Sequence, residues 1–178
     1  QAHHVTLSGD GTVVTKSSVS AAGVWHDAGA VAAESLTGGV HCWELQLTAG
    51  RNNTFFGVCK AGVDLANTHG LFTGNDAWCM HCDGGGLWGN GKQGSDKAGA
   101  FAIGDRLGFR LDLGAGTLSF FKNGIAHGKM YTGVEGPVMR CVEIPNCAWQ
   151  PQGVSVTVLE GALFLTDAEK AAMAAAAA

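Results

Sequence analysis

The chain is short of proline, short of charge and without a long apolar run, and each shortage excludes something. Only three prolines occur among 178 residues, too few for a polyproline spacer or a proline-rich disordered tract. Charged residues make up 15% and the formal net charge is −4, so no basic field exists to attract nucleic acid or anionic lipid. No apolar run approaches the ~20 residues of a membrane-spanning helix, and no signal-peptide pattern opens the chain. A soluble protein is expected, with neither a nucleic acid nor a membrane as partner. Signatures of chemistry are missing too. There is no G-x-S-x-G nucleophile elbow, and no Gly-Lys-Ser/Thr follows the glycines at 84–86, which removes the common hydrolase and phosphate-loop motifs.

Glycine is what the chain has in excess, 28 residues set between short alternating runs. That distribution marks many tight turns, not a disordered tract. The clearest case is GDRLGFRLDLGAGTLSFFKNG at 104–124. Leu107, Phe109 and Leu111 fall on one face and Arg106, Arg110 and Asp112 on the other; Leu118 and Phe120 then repeat the pattern against Thr117, Ser119 and Lys122. A period of two predicts a half-buried strand in each arm. Gly114-Ala115-Gly116 supplies the reversal and Asn123-Gly124 a second turn, because glycine takes positive φ at no steric cost.

The rest of the chain is built in the same style. Residues 5–7 and 12–16 flank a Ser-Gly-Asp-Gly turn, and 40–48, 54–60, 76–82, 125–131, 138–144 and 154–159 read as strands. Residues 21–34 show weak periodicity, residues 89–99 are polar and glycine-rich, and residues 61–75 form the longest connection without alternation. Long ordered loops of this kind tend to be functional. Trp43 and Trp78 sit in alternating runs and are expected in the core; Trp25, Trp88 and Trp149 fall in loops bounded by glycine or proline. Thr166 and Glu169 match a capping box ahead of an alanine-rich helix. Roughly ten to twelve short strands and no interior helix predict an antiparallel two-sheet β-sandwich. Its expected division is an N-terminal strand or hairpin extension over 1–19, the sandwich over 20–160 and a partly helical tail over 161–178.

Six cysteines, at 42, 59, 79, 82, 141 and 147, read as free thiols, since a domain of this size needs no disulfide staples; the expected compartment is reducing, intracellular and cytoplasmic. Cys79-x-x-Cys82 around His81 is half a zinc site, but no second pair follows and alternation sends the two thiols to opposite faces. A sandwich glycosidase needs two carboxylates about 5–10 Å apart. The best strand offers Glu44 with Gln46 beside it and no second acid, so Glu44 reads as a structural partner for a cation or backbone amides. No metal, no cofactor and no catalysis are expected.

Four segments in series resemble the SPRY domain family: Gly39-Val40-His41-Cys42-Trp43-Glu44-Leu45, Phe56-Gly57-Val58, Asp76-Ala77-Trp78, and the run at 104–124 with its closing Phe120-Phe121-Lys122-Asn123-Gly124. The resemblance covers about residues 20–160 and implies a bent antiparallel sandwich of concanavalin-like jelly-roll type with a protein-interaction role. In the family's peptide-binding branch, a loop before the last strand presents a small residue followed by Trp, which Ala148-Trp149 matches. The other binding loops correspond by region to residues 23–27 and 64–75.

The expected function is therefore a non-catalytic, monomeric module that docks a short peptide segment of a partner protein on loops at one edge of the sandwich. Trp149, next to Ala148, would be the apolar platform, since Trp is enriched among interface hot spots. Gln150 and Asn67 would bond the peptide backbone, with Trp25, His26 and His69 at the rim. The alternative is a lectin-like, carbohydrate-binding sandwich using Asn67, Asn75 and Asp83, although no clustered acidic calcium loop is visible.

Overall fold

The computed structural model describes residues 2–17, 26–49, 53–65, 72, 74–94, 99–146, 153–159, 162 and 164–176. The strands, in chain order, are β1 (Ala2–His3), β2 (Val5–Ser8), β3 (Val13–Lys16), β4 (His26–Val31), β5 (Val40–Ala49), β6 (Phe55–Lys60), β7 (Ala77–His81), β8 (Gly86–Gly89), β9 (Lys92–Gln93), β10 (Arg106–Asp112), β11 (Thr117–Lys122), β12 (Ile125–Thr132), β13 (Val138–Asn146) and β14 (Ser155–Leu159). A helix, α1 (Asp167–Ala176), closes the chain. The strands form two antiparallel sheets, sheet 1 in the order β1-β4-β13-β6-β7-β8-β9 and sheet 2 in the order β12-β11-β10-β5-β14-β3-β2.

The main core lies between the sheets and is filled by alternate residues of each strand, as a side-chain period of two requires. Sheet 2 contributes Trp43, Leu45 and Leu47 from β5, Leu107, Phe109 and Leu111 from β10, and Phe120 from β11; Phe56, Val58, Trp78, Met80 and Ile144 answer from sheet 1. Trp43 stacks on Phe109 at 4.9 Å, and Phe120 meets Phe109 edge-on. The hairpin of β10 and β11 pairs Phe109 with Phe120. Of the glycines between its arms, Gly116 carries the positive φ, and the next reversal is made by Asn123 and Gly124 at φ 51° and 83°. Asp105 clasps its base, accepting from the Ala102 amide, the Asn123 side-chain amide and the Lys122 ammonium.

Glu44, fully buried on the outer face of sheet 2, accepts two hydrogen bonds from the Arg106 guanidinium. Beside it, Phe164 stacks on Phe121 at 4.0 Å and lies where a Cβ on Gly108 would stand. Phe164 is thus packed onto the sheet, and the Thr166–Glu169 capping box then forms as its sequence predicts.

Sheet 1 is buried on both faces. Its outer face holds a second apolar cluster of Val31, Phe55, Cys59, Ala77, Cys79 and Cys141, against which Val63, Leu65, Phe72 and Trp88 pack. Val63, Leu65 and Phe72 of the connection after β6 pack on this cluster. Three sequence expectations change here. Residues 21–34 contain a strand, β4; the polar stretch at 89–99 contains the short β9; and Trp88 stands in β8, donating its indole N–H to Gly94 O at 2.5 Å. β4 escapes the pattern because Ala28, Gly29 and Ala30 carry almost no hydrophobic contrast.

Candidate functional site

Sheet 1 carries the described residues that flank the segments the sequence singles out. The register of β4 on β13 pairs His26 with Asn146, so the connection before β4 and the connection after β13 leave from adjacent strand ends. The connection between β6 and β7 starts at the opposite end, yet its described residues return across the outer face. Leu65 reaches Gly29, and the Phe72 amide donates to Glu143 Oε2 at 3.2 Å. Glu143 pairs with Gly29 across the sheet. The strand ends that flank 18–25 and 147–152 are therefore adjacent, and the residues that flank 66–71 sit on the same two strands three residues further in.

Aromatic side chains make the base of that end. Phe55 lies between Phe72 at 4.1 Å and His81 at 4.4 Å, both stacked, and Trp88 stands edge-on to all three. Such offset and edge arrangements are each worth about 0.5–1.5 kcal/mol beyond burial. His81 Nε2 donates to Asn53 Oδ1 at 2.7 Å. Burial holds the His81 pKa below its ordinary value, partly opposed by the Asp83 carboxylate, which keeps the ring neutral at pH 7. Next to this end, the buried Lys16 ammonium donates to Pro145 O at 3.3 Å. These groups offer stacking surface and hydrogen bonds; they do not assemble a nucleophile with a base and an orienting acid.

Of the residues named from the sequence, Trp25, Asn67, His69, Ala148, Trp149 and Gln150 lie outside the described residues. His26 is the first residue of β4 and pairs with Asn146. Asn75 and Asp83 are exposed, the former ahead of β7 and the latter after it. Sequence reading missed Asn53, Phe72 and His81 as neighbours; only Phe72, an isolated aromatic in a non-alternating stretch, left a signal. Cys79 and Cys82 face the outer cluster and the main core respectively, so they diverge as alternation predicts. Among the described residues no group of three or more His, Cys, Asp or Glu is arranged for a metal, and no helix is long and apolar enough to cross a membrane.

A two-layer antiparallel sandwich with long connections anchored on neighbouring strands of one sheet defines a class of loop-bearing β-sandwich domains. Within that class, residues 40–157, well over half of the chain, match the SPRY domain model. The chain belongs to the SPRY domain family, whose members are generally protein-interaction modules. A search of curated proteins by sequence returns no match. Among solved structures, the chain is similar to the SPRY domain of human HERC1, with a TM-score of 0.70 and 23% identity over 88% of this chain and 92% of that one. It is also similar to a human SPRY domain (TM-score 0.66, 18% identity, covering 93% and 99%) and to the PSpry domain of TRIM65 (0.64, 18%, covering 89% and 86%). At these identities the likeness is one of fold.

Proposed function

We propose that this SPRY domain is a non-catalytic, monomeric, intracellular module that holds a short peptide segment of a partner protein on the loops at one end of its sandwich. Trp149 and Ala148 form the apolar platform, Gln150 and Asn67 bond the peptide backbone, and Trp25, His26 and His69 contact its rim. The observation that supports this reading is the convergence of anchors: His26 beside Asn146, Leu65 on Gly29, and Phe72 on Glu143. Loops held by a rigid sandwich present a preorganised surface, which lowers the entropic cost of binding.

The test is Trp149→Ala, measured against peptides selected on the wild-type domain from a displayed random library. Capture is expected to be lost, a cost of about 2 kcal/mol or more, with the melting temperature nearly unchanged. Unfolding of the variant would instead make Trp149 a core residue and remove it from the site. Specific, calcium-dependent binding on a glycan array would favour a lectin-like role.

A further inference from the structure

An Asn-Gly pair can change covalently without an enzyme. The glycine nitrogen, its proton taken by hydroxide, attacks Asn Cγ. A C–N bond forms and closes a succinimide ring, and the Cγ–NH2 bond breaks with release of ammonia. Water then opens the ring at either carbonyl, leaving aspartate or isoaspartate, the latter with one more methylene in the backbone. The net change is asparagine and water to acid and ammonia. Glycine favours the attack because it has no side chain to obstruct the approach, and asparagine is accordingly a thermolabile residue.

The chain holds two such pairs, Asn90-Gly91 and Asn123-Gly124. Both make two-residue hairpin turns: Gly89 pairs with Lys92 across the first and Lys122 with Ile125 across the second. The two asparagines share a positive φ, 46° and 51°. Their surroundings differ. The Asn123 amide is held at both ends, Oδ1 accepting from the Arg106 amide and Nδ2 donating to Asp105 Oδ1, each at 2.8 Å. Its turn joins strands of six and eight residues. The Asn90 side-chain amide has no hydrogen-bond partner among the described residues. Its turn leads into β9, two exposed residues at the edge of sheet 1. Bringing the glycine nitrogen to Cγ loosens a turn, and a turn held by so short a strand opens at lower free energy.

The turn at Asn90 also fastens a distant segment. The Asn90 backbone N–H donates to Gly74 O at 2.9 Å, so it holds the far end of the connection that carries Phe72 onto the outer cluster.

We propose that Asn90 is a self-modification site: it deamidates in the folded domain while Asn123 is protected, and the product releases the end of the 61–75 connection. Isoaspartate lengthens the backbone between Gly89 and Gly91, so Gly89 and Lys92 no longer meet in register and the bond to Gly74 is lost. The inference does not depend on the peptide-binding proposal, since neither Trp149 nor its neighbours take part.

The experiment incubates the whole domain at mildly alkaline pH, folded and in guanidinium, and follows both sites by peptide mapping with mass-spectrometric sequencing. In guanidinium the two sites should convert at similar rates. In the folded domain Asn90 should convert at least about tenfold faster, the factor that the hydrogen bonds of the Asn123 amide supply. Asp105→Ala, which frees Asn123 Nδ2, should narrow that gap. Should this variant not fold, the comparison of folded and unfolded wild type decides alone. Hydrogen exchange at residues 74–76 should be faster after incubation than before it, with β5 and β10 unchanged. The proposal is overturned if Asn123 keeps pace with Asn90 in the folded domain, if Asn90 converts only in guanidinium, or if exchange at 74–76 does not change.

Discussion

At Tyr131, the one tyrosine of the chain, the phenol reaches from β12 in sheet 2 across the interior and donates to Trp88 O in sheet 1 at 2.7 Å. Burial raises its pKa far above the ordinary range, so the hydroxyl remains a donor at any working pH. Tyr131→Phe should cost about 1–2 kcal/mol, since a buried partner is left with a lost bond; denaturant unfolding of both proteins measures it. His81 gives a pH effect of defined sign. Its pKa in the fold lies below 6.5, so the unfolded chain takes up the proton first on acidification. The contribution is full above about pH 6.5 and is lost as pH falls through the folded value. The melting temperature should fall between pH 7 and 5, and His81→Gln should flatten that fall; equal slopes would remove His81 as the cause. Neither residue's partner could be read from the chain, because both bonds join segments far apart in sequence. Glu44 is the contrast: a structural role, with a cation or backbone amides as partner, was legible from the missing second acid, and the fold decides for the cation by bringing Arg106 to it.

At the scale of elements, strands with strong alternation were legible and those built from small residues were not. β5, β10 and β11 announce themselves through Trp43, Phe109 and Phe120. β4, rich in alanine and glycine, takes its place only because β13 offers it a partner edge. The segment leading into α1 behaves likewise. Its capping box is local and readable, but Phe164 docks on Phe121 over Gly108 for a reason held elsewhere, namely the absence of a Cβ in β10. Phe164→Ala should destabilise the domain by about 1–2 kcal/mol through lost burial and stacking, read from the denaturant midpoint. No loss would mean that the segment is an appendage.

For the whole molecule, the consequence of burying both faces of sheet 1 is that two apolar clusters share its strands. The main core is closed by a second sheet, while on the outer cluster the described residues of the following connection place only the partly buried Val63, Leu65 and Phe72. Elements held by fewer apolar contacts open at lower free energy. Native-state hydrogen exchange should therefore find amides of β7 and β8 exchanging faster than those of β5 and β10. Uniform protection across both sheets would contradict this division.

Alternation, turn residues and the capping box are properties of neighbours in sequence, and from them the sandwich, the main core and the family were already legible. Which faces are covered and which loop anchors meet depend on strands brought together from distant parts of the chain. A side-chain period says which way a residue points; only its assembled neighbours settle what it meets there.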